Sequence, residues 1–101
     1  MSAKKTYKLR SKVWPYPGMS GWYFLVVDKK HSTELSEKYA KKKRGFGSLP
    51  VMATIGKTTW KTSIFPDKQS GTYLLPLKAK VRKAEAIAAD DIVSFALDIR
   101  A

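Results

Sequence analysis

The sequence predicts a mostly β fold, a small closed or nearly closed barrel of about six strands with two short helices. Three observations lead there. Near each end of the chain, apolar and polar residues alternate with a period of two, the pattern of a half-buried strand. Between them, two β-rich runs flank Gly56-Lys57, and a two-residue link with glycine first is the mark of a type II′ hairpin. Finally, so many short strands in a chain of 101 residues leave edges that closure removes. No repeat of 20–50 residues is present, and the chain reads as a single domain, 1–101, with a loose terminus over 1–5.

From Thr6, the residues Tyr7, Leu9, Ser11 and Val13 face one way and Lys8, Arg10 and Lys12 the other. This is an edge strand guarded by cations or a basic ribbon that tracks phosphates. Trp14-Pro15-Tyr16-Pro17-Gly18-Met19-Ser20-Gly21 is a turn segment. Trp22 to Val27 is apolar on both faces, as a buried central strand should be. Ser32 is the expected N-cap of the next helix, whose cations crowd its end near Lys41 to Lys43, with Gly45 or Gly47 as terminator. Its apolar stripe, Leu35, Tyr39 and Ala40, is thin and suits a surface helix.

Val51 to Ile55 and Thr58 to Phe65 form the hairpin, and Pro66 to Gly71 is read as the following turn. Thr72 to Leu75 is a short strand. Pro76 suits the first turn of the second helix, with Leu77, Val81 and Ala84 on one face and Lys78, Arg82 and Lys83 opposite. After the Asp90-Asp91 turn, Val93, Phe95, Leu97 and Ile99 alternate along a closing strand. The expected core is Phe95, Leu97, Val93, Trp60, Ile64, Phe24, Val26, Val51 and Ala53.

Composition bounds the function. The absence of cysteine removes disulfides, thiol catalysis and thiolate metal sites. No apolar run reaches membrane-spanning length and no signal peptide opens the chain, so a cytoplasmic protein without a membrane partner is expected. Twenty Lys and Arg against eight acids give a formal net charge of +12, which suits an anionic partner. The cations cluster in acid-free windows over 4–12, 38–44 and 78–83.

Catalytic signals are sparse. Gly56-Lys57-Thr58-Thr59 imitates the tail of a P-loop, but Val51 stands where its first glycine should, and a strand follows instead of a helix. His31 is the single histidine and is read as a surface loop residue. Asp90-Asp91 is read as turn chemistry, with Asp91 accepting from backbone N–H groups. Trp14, Tyr16 and Phe46 are loop aromatics that cap the core or stack on bases.

Several segments carry a resemblance: Gly45-Phe46-Gly47-Ser48-Leu49-Pro50-Val51, Thr54-Ile55-Gly56, Trp60 to Pro66, Tyr73 to Lys78, Val81-Arg82-Lys83 and Trp14 to Gly18. On these, the chain resembles the prokaryotic domain-of-unknown-function family nineteen-oh-five over about Val13 to Ile99. That resemblance implies a double-split β-barrel, sometimes fused to a YdeI/OmpD-associated domain, and no established activity. A second likeness, over Arg82 to Asp91, is to the helix-turn-strand of swapped-hairpin transition regulators, though Asp90 stands where those proteins usually have glycine.

The expected function is therefore a non-catalytic module that binds nucleic acid or another polyanion, as a monomer or weak dimer, with no cofactor and no metal. Its candidate contacts are Lys8, Arg10, Lys12, Lys41, Lys42, Lys43, Arg44, Lys78, Arg82 and Lys83. The alternative is a small-ligand or protein-interaction domain with a pocket at the barrel mouth near Trp60, Lys61, Ser63 and Phe65.

Overall fold

A computed structural model describes residues 6–18, 21–42 and 47–100. The elements are β1 (Thr6–Lys12), β2 (Trp14–Pro15), β3 (Tyr23–Val27), α1 (Lys29–Lys38), β4 (Leu49–Ile55), β5 (Thr58–Asp67), β6 (Thr72–Pro76), α2 (Ala79–Ala84) and β7 (Ile92–Ile99). A short 3-10 turn at Ala40–Lys42 follows α1. The strands form one antiparallel sheet in the order β1-β7-β4-β5-β6-β3-β2.

Seven described strands replace the expected six, and the sheet curls into a half-barrel rather than closing. Closure fails for a local reason. At Val13 the chain leaves β7: Val13 N–H donates to Asp91 O at 2.8 Å and Asp90 N–H donates to Val13 O at 3.1 Å. Trp14–Pro15 then pairs with β3. Pro15 brings no N–H to extend that ladder. Across the gap, β1 meets β3 through a side chain, Ser11 Oγ accepting from Val26 N–H at 3.3 Å.

The alternation at both ends of the chain is as expected. Tyr7 and Leu9 are buried on β1, as are Val93, Phe95, Leu97 and Ile99 on β7, and the two strands pair in register from Thr6↔Asp98 to Lys12↔Ile92. Leu49, Val51, Ala53, Ile55 and Ile64 join them on the concave side, with Leu25, Val27 and Leu75 from the other half. Two expected core residues, Val26 and Trp60, are only half-buried. The hairpin at Gly56-Lys57 has Gly56 at φ +56, the left-handed conformation that glycine adopts at no steric cost.

Other expectations shift. Asp28, rather than Ser32, caps α1, its Oδ1 accepting from His31 N–H at 2.8 Å. Ser32 is buried inside the helix instead, its hydroxyl donating to Val27 O at 2.8 Å and accepting from Tyr73 N–H at 2.9 Å. His31 is accordingly a helical residue, and its ring meets the Asp28 carboxylate at 2.8 Å. α1 ends at Lys38, short of the cations expected in its last turn, while its stripe residue Leu35 is fully buried. Gly45 lies outside the described residues.

Strand β5 runs through Pro66 and Asp67, which pair with Tyr73 and Thr72, so the turn begins only at Lys68. Pro76 ends β6 rather than starting a helix: Leu77 N–H donates to Tyr23 O at 2.8 Å and keeps the ladder going. Helix α2 starts at Ala79, and Ala84 is exposed. Trp22 precedes β3 and is 53% exposed, because its neighbour β2 is too short to cover it.

Candidate functional site

The convex side of the sheet divides into two regions. Over β1, β7, β4 and β5 the outward positions carry Lys8, Arg10 and Lys12, then Ser94 and Ala96, then Thr54, then Thr59, Lys61 and Ser63. Register ties them together: Lys8 stands opposite Ala96, which stands opposite Thr54, which stands opposite Thr59. Lys61 pairs with Met52, which pairs with Asp98, which pairs with Thr6. At about 4.8 Å between strands, Lys61 lies roughly 14 Å from β1 across the sheet. Two carboxylates share this face: Thr6 Oγ1 donates to Asp98 at 2.6 Å, and Ser70 Oγ donates to Asp67, at the end of β5, at 2.8 Å. Small side chains and hydroxyls stand between the cations, together with Met52 and with Ile92, which is exposed opposite Lys12.

Over β2, β3 and β6 the same outward positions are aromatic and apolar. Phe24 is the buried hub, with ring centroids 5.7 Å from Tyr16, 6.2 Å from Trp22 and 6.3 Å from Trp14. Tyr16 stays 40% exposed, and Phe65, on the β5 side, 41%. Tyr16 N–H donates to Trp22 O at 2.8 Å, so the two most exposed rings of the cluster are cross-strand neighbours.

Between these regions the sheet splits. Strand β5 pairs with β6 only from Phe65 to Asp67. Beyond Phe65 it stays with β4, while Leu74 to Pro76 stay with β3. The divergence opens a cleft of about 260 Å³ lined by Gly21, Trp22, Tyr23, Thr62, Pro76, Leu77 and Lys78. Arg82 braces its wall. The guanidinium lies 4.0 Å from the Tyr23 ring centroid, and Nε and Nη2 donate to Leu77 O at 3.2 Å and to Gly21 O at 3.3 Å. Part of a candidate phosphate contact is thus committed to holding loop, strand and helix together.

The remaining candidates scatter. Lys41 and Lys42 are exposed on the 3-10 turn, and Lys43, Arg44 and the loop aromatic Phe46 lie outside the described residues. Lys78 and Lys83 are exposed around α2. On β5, Lys61, Ser63 and Phe65 share the outer face and Trp60 faces the interior beside Ala53, both as alternation along the strand predicts, with the Trp60 indole N–H unpartnered among the described residues. The four expected pocket residues therefore divide between two faces. Four concavities of the described surface are lined by other residues.

Most acids are engaged in local structure. Asp91 Oδ2 accepts from Ala88 N–H at 2.8 Å, Asp67 from Ser70 Oγ at 2.8 Å, and Glu85 from Thr58 Oγ1 at 2.6 Å. Burial alone would raise the Asp28 pKa, but hydrogen bonds from the His31 N–H and ring hold it below the usual range. Burial pushes the Tyr7 phenol up to about 12, and its bond to Glu34 Oε2 at 3.1 Å adds to the rise. Tyr73 is raised by burial as well. Among the described residues no three His, Asp or Glu gather as metal ligands. No described helix is long and apolar enough to cross a membrane.

Sequence reasoning missed Trp22 as a surface aromatic and missed the cleft that faces Lys78. The neighbouring Gly21 was the available signal, since a strand that starts just after a Pro- and Gly-rich turn leaves its first side chain at the margin of the sheet. The split left no signal, because it depends on which of two partners a strand chooses.

Residues 10–97 match the model of a family described as "Domain of unknown function (DUF1905)". No curated protein matches the chain.

Proposed function

The chain belongs to the DUF1905 family of domains of unknown function, so no activity comes with the fold, and we propose that it is a non-catalytic module that holds the phosphate backbone of nucleic acid on the convex face of β1, β7, β4 and β5. One observation carries the reading: Lys8, Arg10, Lys12 and Lys61 share that face with two carboxylates, Asp98 and Asp67, and each already accepts a hydrogen bond from a neighbouring hydroxyl, of Thr6 and of Ser70. Lysine ammonium groups act as point charges on phosphates and release condensed counterions without reading sequence. The hydroxyls of Thr54, Thr59, Ser63 and Ser94 add neutral donors between them. The engagement of Asp28, Asp67, Glu85, Asp91 and Asp98 in caps, turns and cross-strand bonds favours a binding role over acid–base chemistry.

Titration of labelled oligonucleotides across a range of salt concentrations tests this. The slope of log affinity against log salt should be steep. In the triple variant Lys8→Gln, Arg10→Gln, Lys12→Gln it should flatten by roughly 2 to 2.7, three lost contacts at about 0.7–0.9 each. A triple variant with unchanged affinity and slope would overturn the proposal.

A further inference from the structure

Resting on that reading, we infer that the nucleic acid is single-stranded and that the split between β5 and β6 receives one unstacked base. The sheet places the needed groups in one row. Tyr16 and Trp22 are cross-strand neighbours, and Trp22 and Lys78 both line the cleft. Lys78 is exposed at the cleft, and Lys61 is exposed on β5 one residue before the lining Thr62. Aromatic surface thus lies directly beside cations, the combination that holds single strands: charges follow the backbone while rings take the bases.

The cleft suits one ring system. Its volume of about 260 Å³ falls below the range of roughly 300–1,000 Å³ typical of drug-sized ligands. Pro76, Leu77 and the rings of Trp22 and Tyr23 form its apolar walls, and the Thr62 hydroxyl is a polar group for a base edge. Arg82 covers one face of Tyr23 and fixes Gly21 and Leu77, so the walls are set before a ligand arrives. Preorganisation of this kind reduces the ordering cost of binding. A duplex cannot use the row, because its bases are stacked and paired inside. An acidic peptide would satisfy the cations and leave the exposed rings without partners.

Affinity for four probes, measured at one salt concentration, tests the inference: a single-stranded oligothymidylate, the same strand with abasic sites, a duplex of equal length, and heparin. The oligothymidylate should bind at least tenfold more tightly than the other three and should quench tryptophan emission. Trp22→Ala should lower its affinity by roughly 5- to 150-fold, the range that one base–aromatic stack supplies. The salt slope should stay unchanged, since no phosphate contact is lost. Trp22 is 53% exposed, so the variant is expected to stay folded. The abasic strand checks the same point on the unaltered protein. Equal binding of all four probes with salt dependence intact would overturn the base site and spare the phosphate face. Binding of none would overturn both.

Discussion

The two halves of the convex face are built on the same pleat and the same concave core, yet their outward positions are filled in opposite ways. Over β1, β7 and β4 the outward side chains are mostly cations, hydroxyls and small residues, with Met52 and the exposed Ile92 as the large apolar exceptions. Over β2 and β3 they are rings that cover one another around Phe24. In the first half the outer side chains contribute little to stability, and the strands are held by what lies beneath them. In the second, the outer rings form a small second core, because β2 has only two residues and cannot anchor itself by its ladder. Alternation in a sequence therefore reports which residues face a core; it does not report whether the other face is bare.

The largest effect should come from the shared concave side and should spare neither half. Phe95 is 3% exposed, and Phe95→Ala should lower unfolding free energy in urea by about 3–5 kcal/mol. The contrast between the halves follows from Phe24→Ala against Arg10→Ala. Loss of the ring hub should cost about 3 kcal/mol, whereas Arg10→Ala should leave the urea midpoint unchanged. Equal costs would mean that the aromatic cover is not a second core.

A smaller effect belongs to the helix cap. Asp28→Ala should cost about 0.5–2 kcal/mol. Since the folded pKa of Asp28 lies below its unfolded value, its contribution is present above about pH 4 and fades as pH falls below that. The Asp28→Ala variant should accordingly flatten the acid limb of the stability profile. At the other extreme Tyr7 has a raised pKa, so its contribution holds up to pH 10 and declines as pH rises towards 12. In Tyr7→Phe that alkaline decline should be shallower, as thermal melts at pH 9 and 11.5 would reveal.

What the sequence made legible is what depends on single strands. Val93 to Ile99 and Tyr7 to Val13 each declare a face by alternation, and Gly56-Lys57 declares a turn through the one residue that takes a positive φ without strain. What it hid depends on competition between partners. Ser32 and Asp28 are both good caps, and Ser32 is diverted because its hydroxyl can satisfy two buried backbone groups of β3 and β6. Pro76 can open a helix or close a strand, and the carbonyl of Tyr23 decides by accepting the N–H of Leu77. The cationic windows were legible as charge, but Lys61 lies outside them, and its place on the same face as the β1 cations emerged only from the register across four strands.

The pairing of β1 with β7 also governs the order in which the chain can be completed. Thr6 bonds to Asp98, 92 residues away, so β1 is synthesised well before β7 and waits for it to gain a ladder partner. Non-local pairing of this kind slows folding and prolongs the life of an open edge. During that wait Lys8, Arg10 and Lys12 repel other nascent chains and discourage edge-to-edge association. The aromatic hub needs only residues 14–24 and can collapse early, whereas the basic face exists as a surface only once residue 98 is in place. Any release of β7 would leave β1 without its ladder partner and dismantle the cationic face.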